Sequence, residues 1–144
     1  MVFGAWGSGG LDMGPVNWLA VGLGAVAFFA TGAVWYSVLF GKAWQREVGL
    51  TEDQIAGANM PMIFGLCFLL ELVVAWMMGH LIARTSPEPH VVMMFALGFG
   101  AFIMAPAIGI NYLYQRKSLK LFLIDAGHFV VGMAAMGGVF VLLG

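Results

Sequence analysis

Three ionisable side chains stand inside long apolar runs. Glu71 lies in PMIFGLCFLLELVVAWMMGHLIA, and Asp125 and His128 lie in SLKLFLIDAGHFVVGMAAMGG. Insertion scales put the cost of a central membrane Asp at roughly 2.5 to 3.5 kcal/mol, so such groups face a protein interior or a cavity. Asp125 and His128 share one helical face with Ser118, Leu121, Gly132 and Met136, because residues three and four apart are neighbours on a helix. Two carboxylates and an imidazole in a low dielectric can exchange protons or hold an ion. The same groups can also serve only as glue between helices, at about 1 kcal/mol per hydrogen bond.

Depth decides which of them can meet. A rise of about 1.5 Å per residue puts Asp125 roughly 7 to 8 Å and His128 about 12 Å in from Lys120, Glu71 about 15 Å in from Pro61, and Tyr36 about 9 Å and Thr31 about 16 Å in from Lys42. Glu71 is therefore expected to meet His128. Tyr36 and Asn111 are expected to reach Asp125, which with Thr31 makes a polar layer in one half of the molecule.

A second constellation flanks the connection between the middle helices, with Met77, Met78 and His80 before it and His90, Met93 and Met94 after it. Thioether and imidazole ligands suit Cu(I), which makes Met77, His80, His90 and Met94 candidate ligands. Methionine is also the ordinary filler of apolar helices, and packing is the stronger reading. No cofactor is expected. Catalytic motifs such as HExxH, GxSxG or a phosphate loop do not occur, and Ser37 or Ser118 with His128 makes no nucleophilic set. An acid–base pair of Asp125 and His128 acting on a lipid-like substrate is the enzymatic alternative.

The elements that carry these residues follow from composition. Of 144 residues, 62% are hydrophobic and 9% charged, more apolar surface than a soluble domain of this size can bury. The chain reads as an all-α membrane protein, a bundle of four transmembrane helices over residues 16–40, 61–83, 91–113 and 119–143. Residues 1–15 read as a short leader, and 16–144 as a single transmembrane domain. Residues 41–60 form a polar connection in which Thr51 and Gln54 match a capping box. A net charge of -1 gives no sign of a nucleic-acid partner. The single cysteine, Cys67, excludes an intrachain disulfide and reads as a buried thiol.

Basic residues set the orientation. Lys42, Arg46, Arg116, Lys117 and Lys120 lie in the first and third connections and Arg84 alone in the second. The first and third connections are therefore expected in the cytoplasm and both termini on the non-cytoplasmic side. Trp18, Trp35, Tyr36, Trp44, Tyr112 and Tyr114 read as interfacial belts. Small residues at helical spacing, Gly24, Ala75, Gly79, Gly100 and Gly132 among them, allow close helix approach. They point to packing against further copies or a larger membrane complex.

Two stretches, Asn17 to Gln54 and Ser118 to Val139, carry a family resemblance. Asn17/Trp18, the run Trp35 to Trp44 (WYSVLFGKAW) and Leu121 to Gly127 (LFLIDAG) are similar to recurrent segments of the domain of unknown function 1761 family. The likeness extends from Asn17 to the end, with 61–83 and 91–113 matching only as apolar spans. It implies a small multi-spanning protein of the bacterial inner membrane, with no activity assigned. The leading expectation is a small oligomeric channel or transporter using the polar layer as an ion or proton site. Its rival is a non-catalytic scaffold or accessory subunit.

Overall fold

The computed structural model describes residues 15–144; all but the last residue of the expected leader, 1–15, lies outside them. Four helical runs are long and apolar enough to cross a membrane: Trp18–Leu39, Met60–Thr85, Pro89–Tyr114 and Leu119–Leu143. No strand occurs among the described residues. The first run is helix α1 (Trp18–Val34) continued by a π-helical segment, Trp35–Leu39. Two short helices of the connection follow, α2 (Gly41–Val48) and α3 (Glu52–Ala56), then the second span α4 (Met60–Thr85). The third span is α5 (Pro89–Gly98), a π-helical segment Phe99–Met104, and α6 (Ala105–Tyr114). The fourth is α7 (Leu119–Leu143).

Each start has a local cause. The orphan N–H groups of a first helical turn need acceptors, which short polar side chains supply. Asn17 accepts from the Ala20 N–H, Asn59 from Met62 and Ser118 from Leu121. Thr51 and Gln54 satisfy each other's backbone reciprocally. Pro61 and Pro89 occupy first-turn positions where the missing N–H costs nothing. Asn17 also donates Nδ2 to the Leu143 carbonyl at 3.0 Å, so span one begins beside the point where span four finishes.

The packing order is α4 on α1, α1 on α7, and α7 on the third span. Helices α1 and α7 are central. In the most apolar stretch of α7, 39% is buried, against 17% in the second and third spans, which form the flanks. Apolar surface gains nothing by leaving lipid, so contacts between spans depend on close fit and small residues. Phe28, 1% exposed, lies over Gly132, where a Cβ would stand 3.1 Å from the ring. Gly24 receives Met136, Gly79 receives Val21, and Gly100 sits under the Val130 backbone. Ala75 is fully buried with them. These small residues are thus used for contacts inside the chain.

This core, with Ala25, Met78, Ala96, Met133 and Phe140, fills the half of the molecule near Asn17 and Leu143. At the opposite end the flanking spans separate. Helix α4 packs chiefly on α1 and leaves α6 unaccompanied across the gap.

Candidate functional site

The gap is a cavity of about 980 Å³ between α4 and α6, floored by α1 and α7. Phe29, Tyr36, Trp44, Phe64, Phe129 and Ile108 give it an apolar, aromatic wall. Glu71, Asp125 and His128 all line it, while Lys42, Gln45, Asn111 and Gln115 come from the connections and helix ends. Phe64 and Cys67 line it and are nevertheless exposed, so it opens sideways between the two flanking spans. Its lining reaches inward as far as Phe29, Glu71 and Phe129, beyond which the packed core closes the way.

Asp125 is the anchored member, 6% exposed. Its Oδ1 accepts the Tyr36 hydroxyl at 2.6 Å and its Oδ2 accepts the Tyr112 hydroxyl, so one carboxylate joins spans one, three and four. Both carboxyl oxygens are thereby satisfied inside the bundle, as buried polar groups normally are. Both tyrosines are positioned by π-helical segments. In the first, Phe40 N–H bonds to the Trp35 carbonyl five residues back, and the widened turn directs Tyr36 inward. Gly41 closes that turn, since a Cβ there would stand 2.3 Å from the Tyr36 carbonyl oxygen. Trp35 donates Nε1 to the Ile124 carbonyl at 2.9 Å, and its ring covers Gly127, where a Cβ would lie 3.0 Å from it.

The second π segment lies upstream of Tyr112. Ala105 N–H bonds to Gly100 rather than Ala101, so the Pro106 ring, which has no N–H to offer, sits just after a widened turn in a helix that runs on to Tyr114. The extra residue in that turn rotates all that follows by about 100°, one residue's worth of a helix with 3.6 residues per turn. Tyr112 therefore takes the place expected for Asn111, which lines the cavity but has no bond to Asp125.

His128, 8% exposed, is enclosed by the rings of Phe28, Tyr36 and Phe129 at centroid distances of 5.3, 5.0 and 5.0 Å. Its Nε2 is enclosed and has no hydrogen-bond partner. A Cβ at Gly32 would meet that nitrogen at 2.8 Å, so the imidazole fits because residue 32 is glycine. Glu71 is half-buried, and its Oε2 is likewise enclosed without a partner. The expected Glu71–His128 hydrogen bond is not made. The two face one cavity from opposite sides, because α4 stands off from α7 at this level. Thr31 is outside the cluster, donating its hydroxyl to the Ala27 carbonyl one turn back.

The Met/His set around the middle connection lies at the surface. Met77 and Met94 point outward, 60% and 65% exposed, and His90 is exposed. His80 Nδ1 lies 3.0 Å from the Trp76 carbonyl, with the ring edge-on to Trp18 and Trp76. Among the described residues no group of three or more His, Cys, Asp or Glu is placed to hold a metal ion. Of the belt aromatics, Trp18 and Tyr114 are exposed, whereas Tyr36 and Tyr112 turn inward to the carboxylate and Trp35 to α7. Cys67 is exposed toward the cavity instead of buried.

Fold and site together define a four-span α-helical membrane protein with a blind, aromatic-walled cavity holding two carboxylates and an imidazole. The family model described as protein of unknown function DUF1761 matches residues 19–141, and the chain belongs to that family. No curated protein and no solved structure matches it.

Proposed function

We propose that the protein is a small transporter in which Glu71, Asp125 and His128 form a proton or ion site. The observation that carries this reading is that all three line one cavity, with Glu71 Oε2 and His128 Nε2 lacking any protein partner. Buried polar atoms are normally satisfied within the protein, so two unsatisfied ones on residues that line a cavity are suited to a ligand or a transferred proton. A cavity closed at its inner end favours alternating access over an open pore. Excess Lys and Arg in the first and third connections supports a cytoplasmic location for the cavity mouth, with both termini on the other side of a bacterial inner membrane. A homo-oligomer, or a place in a larger complex, is part of the proposal, supported by the exposed outer flank of α4.

The test is proton or ion flux in proteoliposomes. Glu71→Gln removes the flux while leaving assembly intact; flux that persists in that variant rejects the site.

The scaffold reading draws on a different observation, the Asp125 carboxylate saturated by tyrosines from two other spans. On that reading Glu71→Gln changes nothing, and Asp125→Asn weakens only assembly.

A further inference from the structure

We propose that the cavity binds a lipophilic organic monocation, a substituted ammonium or phosphonium ion, with Glu71 as its counter-ion. This rests on the transport reading and names the class of substrate. Size argues first. A volume of about 980 Å³ lies at the upper end of small-molecule sites, roughly 300 to 1,000 Å³, and far exceeds what a bare ion needs. The wall argues against Mg²⁺ or Ca²⁺, which take six or more oxygen ligands, whereas Phe29, Phe64 and Phe129 share the lining with the carboxylates here.

Aromatic faces and a carboxylate recognise the same kind of guest. A cation within about 6 Å of a ring centroid is attracted by the ring quadrupole, and an organic cation also buries apolar groups against it. Phe29 meets Phe64 edge-on at 6.0 Å, and Tyr36 meets Trp44 at 5.8 Å, so rings line the cavity from its depth to its mouth. The charges agree. Two carboxylates line the space, and Lys42, near the mouth, is the sole Lys or Arg in that lining. Asp125 is already held by two phenols, which leaves the half-buried Glu71 on the cavity wall as the carboxylate open to a guest. A sideways opening between α4 and α6 admits a molecule already dissolved in the bilayer.

Cys67 provides the readout, being the chain's single thiol, exposed, and on the cavity wall one helical turn before Glu71. Purified full-length protein in dodecyl maltoside is labelled with N-ethylmaleimide and followed by mass. Tetraphenylphosphonium is expected to slow labelling strongly, and the neutral triphenylphosphine oxide is expected not to. In Glu71→Gln the concentration giving half protection is expected to rise about tenfold or more, the loss of one charge-assisted contact. Equal protection by the neutral compound makes the cleft a site for lipid-like molecules and overturns the proposal, and this comparison needs no variant. No protection by tetraphenylphosphonium, or protection unchanged in Glu71→Gln, also overturns it. Glu71-dependent proton flux without such protection leaves the transport reading standing and removes the organic cation. Protection in a protein that carries no flux upholds the binding site and removes transport.

Discussion

The Tyr36 hydroxyl donates to Asp125 Oδ1 at 2.6 Å across a sequence separation of 89 residues. This contact joins Trp35 to Trp44 with Leu121 to Gly127, one motif from each of the two stretches that carry the family likeness. Around it the same stretches meet twice more, through Trp35 on the Ile124 carbonyl and the Trp35 ring over Gly127. Their unusual mixture of aromatic, small and charged residues is one interface seen from its two sides.

Removing either phenol is expected to destabilise the fold modestly. Tyr36→Phe and Tyr112→Phe each lose one hydrogen bond, worth about 0.6 to 1.7 kcal/mol between membrane helices. The double variant leaves an uncompensated buried carboxylate and is expected to lose more than the sum, and adding Asp125→Asn recovers part of it. Unfolding by denaturing detergent, read as a double-mutant cycle, measures the coupling.

Two glycine substitutions are expected to separate site from scaffold. Gly32→Ala meets the movable tip of the His128 ring, so the protein folds with the imidazole displaced and any Glu71-dependent flux reduced. Gly100→Ala meets the Val130 backbone at 2.9 Å and must push spans three and four apart. It is expected to cost about 1 to 3 kcal/mol, the usual penalty of overpacking. Thermal stability in detergent, compared with flux, distinguishes the two.

Gly41→Ala is expected to be more damaging than its place near the end of a span implies. Its Cβ would be 2.3 Å from the Tyr36 carbonyl oxygen, and backbone cannot rotate away as a side chain can. Loss of the π turn would turn Tyr36 from Asp125. The expected phenotype matches Tyr36→Phe with added backbone disorder, detectable as faster hydrogen exchange over residues 35–41.

Orientation is testable with single cysteines. In a Cys67→Ser background, Lys117→Cys is expected to react with an impermeant maleimide only after permeabilisation, and Ser86→Cys in intact cells. The reverse pattern overturns the cytoplasmic placement of the cavity mouth.

The four spans were legible because length and apolar content suffice to identify a membrane helix, and the Thr51/Gln54 capping box was legible from its spacing. The pairing of Tyr36 with Asp125 was legible from depth alone. Tyr112 was missed because depth counting assumes a uniform helix, and the π segment Phe99–Met104 shifts the phase by a residue. Pro106, just after that segment, is the one local signal of an interrupted hydrogen-bond ladder. Glu71 and His128 were expected to bond because equal depth was taken for contact. Depth fixes position along the membrane normal only, and the separation of α4 from α7 is a lateral quantity that sequence periodicity does not encode.

The packing order found for the spans has a mechanical consequence. Helices α1 and α7 form a fixed spine, locked by Phe28 in its notch over Gly132 and by Asn17 on Leu143. Helix α4 rests on that spine at the small-residue patch of Ala75 and Gly79 near the closed end, and again on the mouth side of Glu71, where Phe64 and Phe68 meet Phe29 of α1 edge-on. The ring of Phe29 is thus a prop between the spine and the wall that carries Glu71, and its size sets how far the two stand apart.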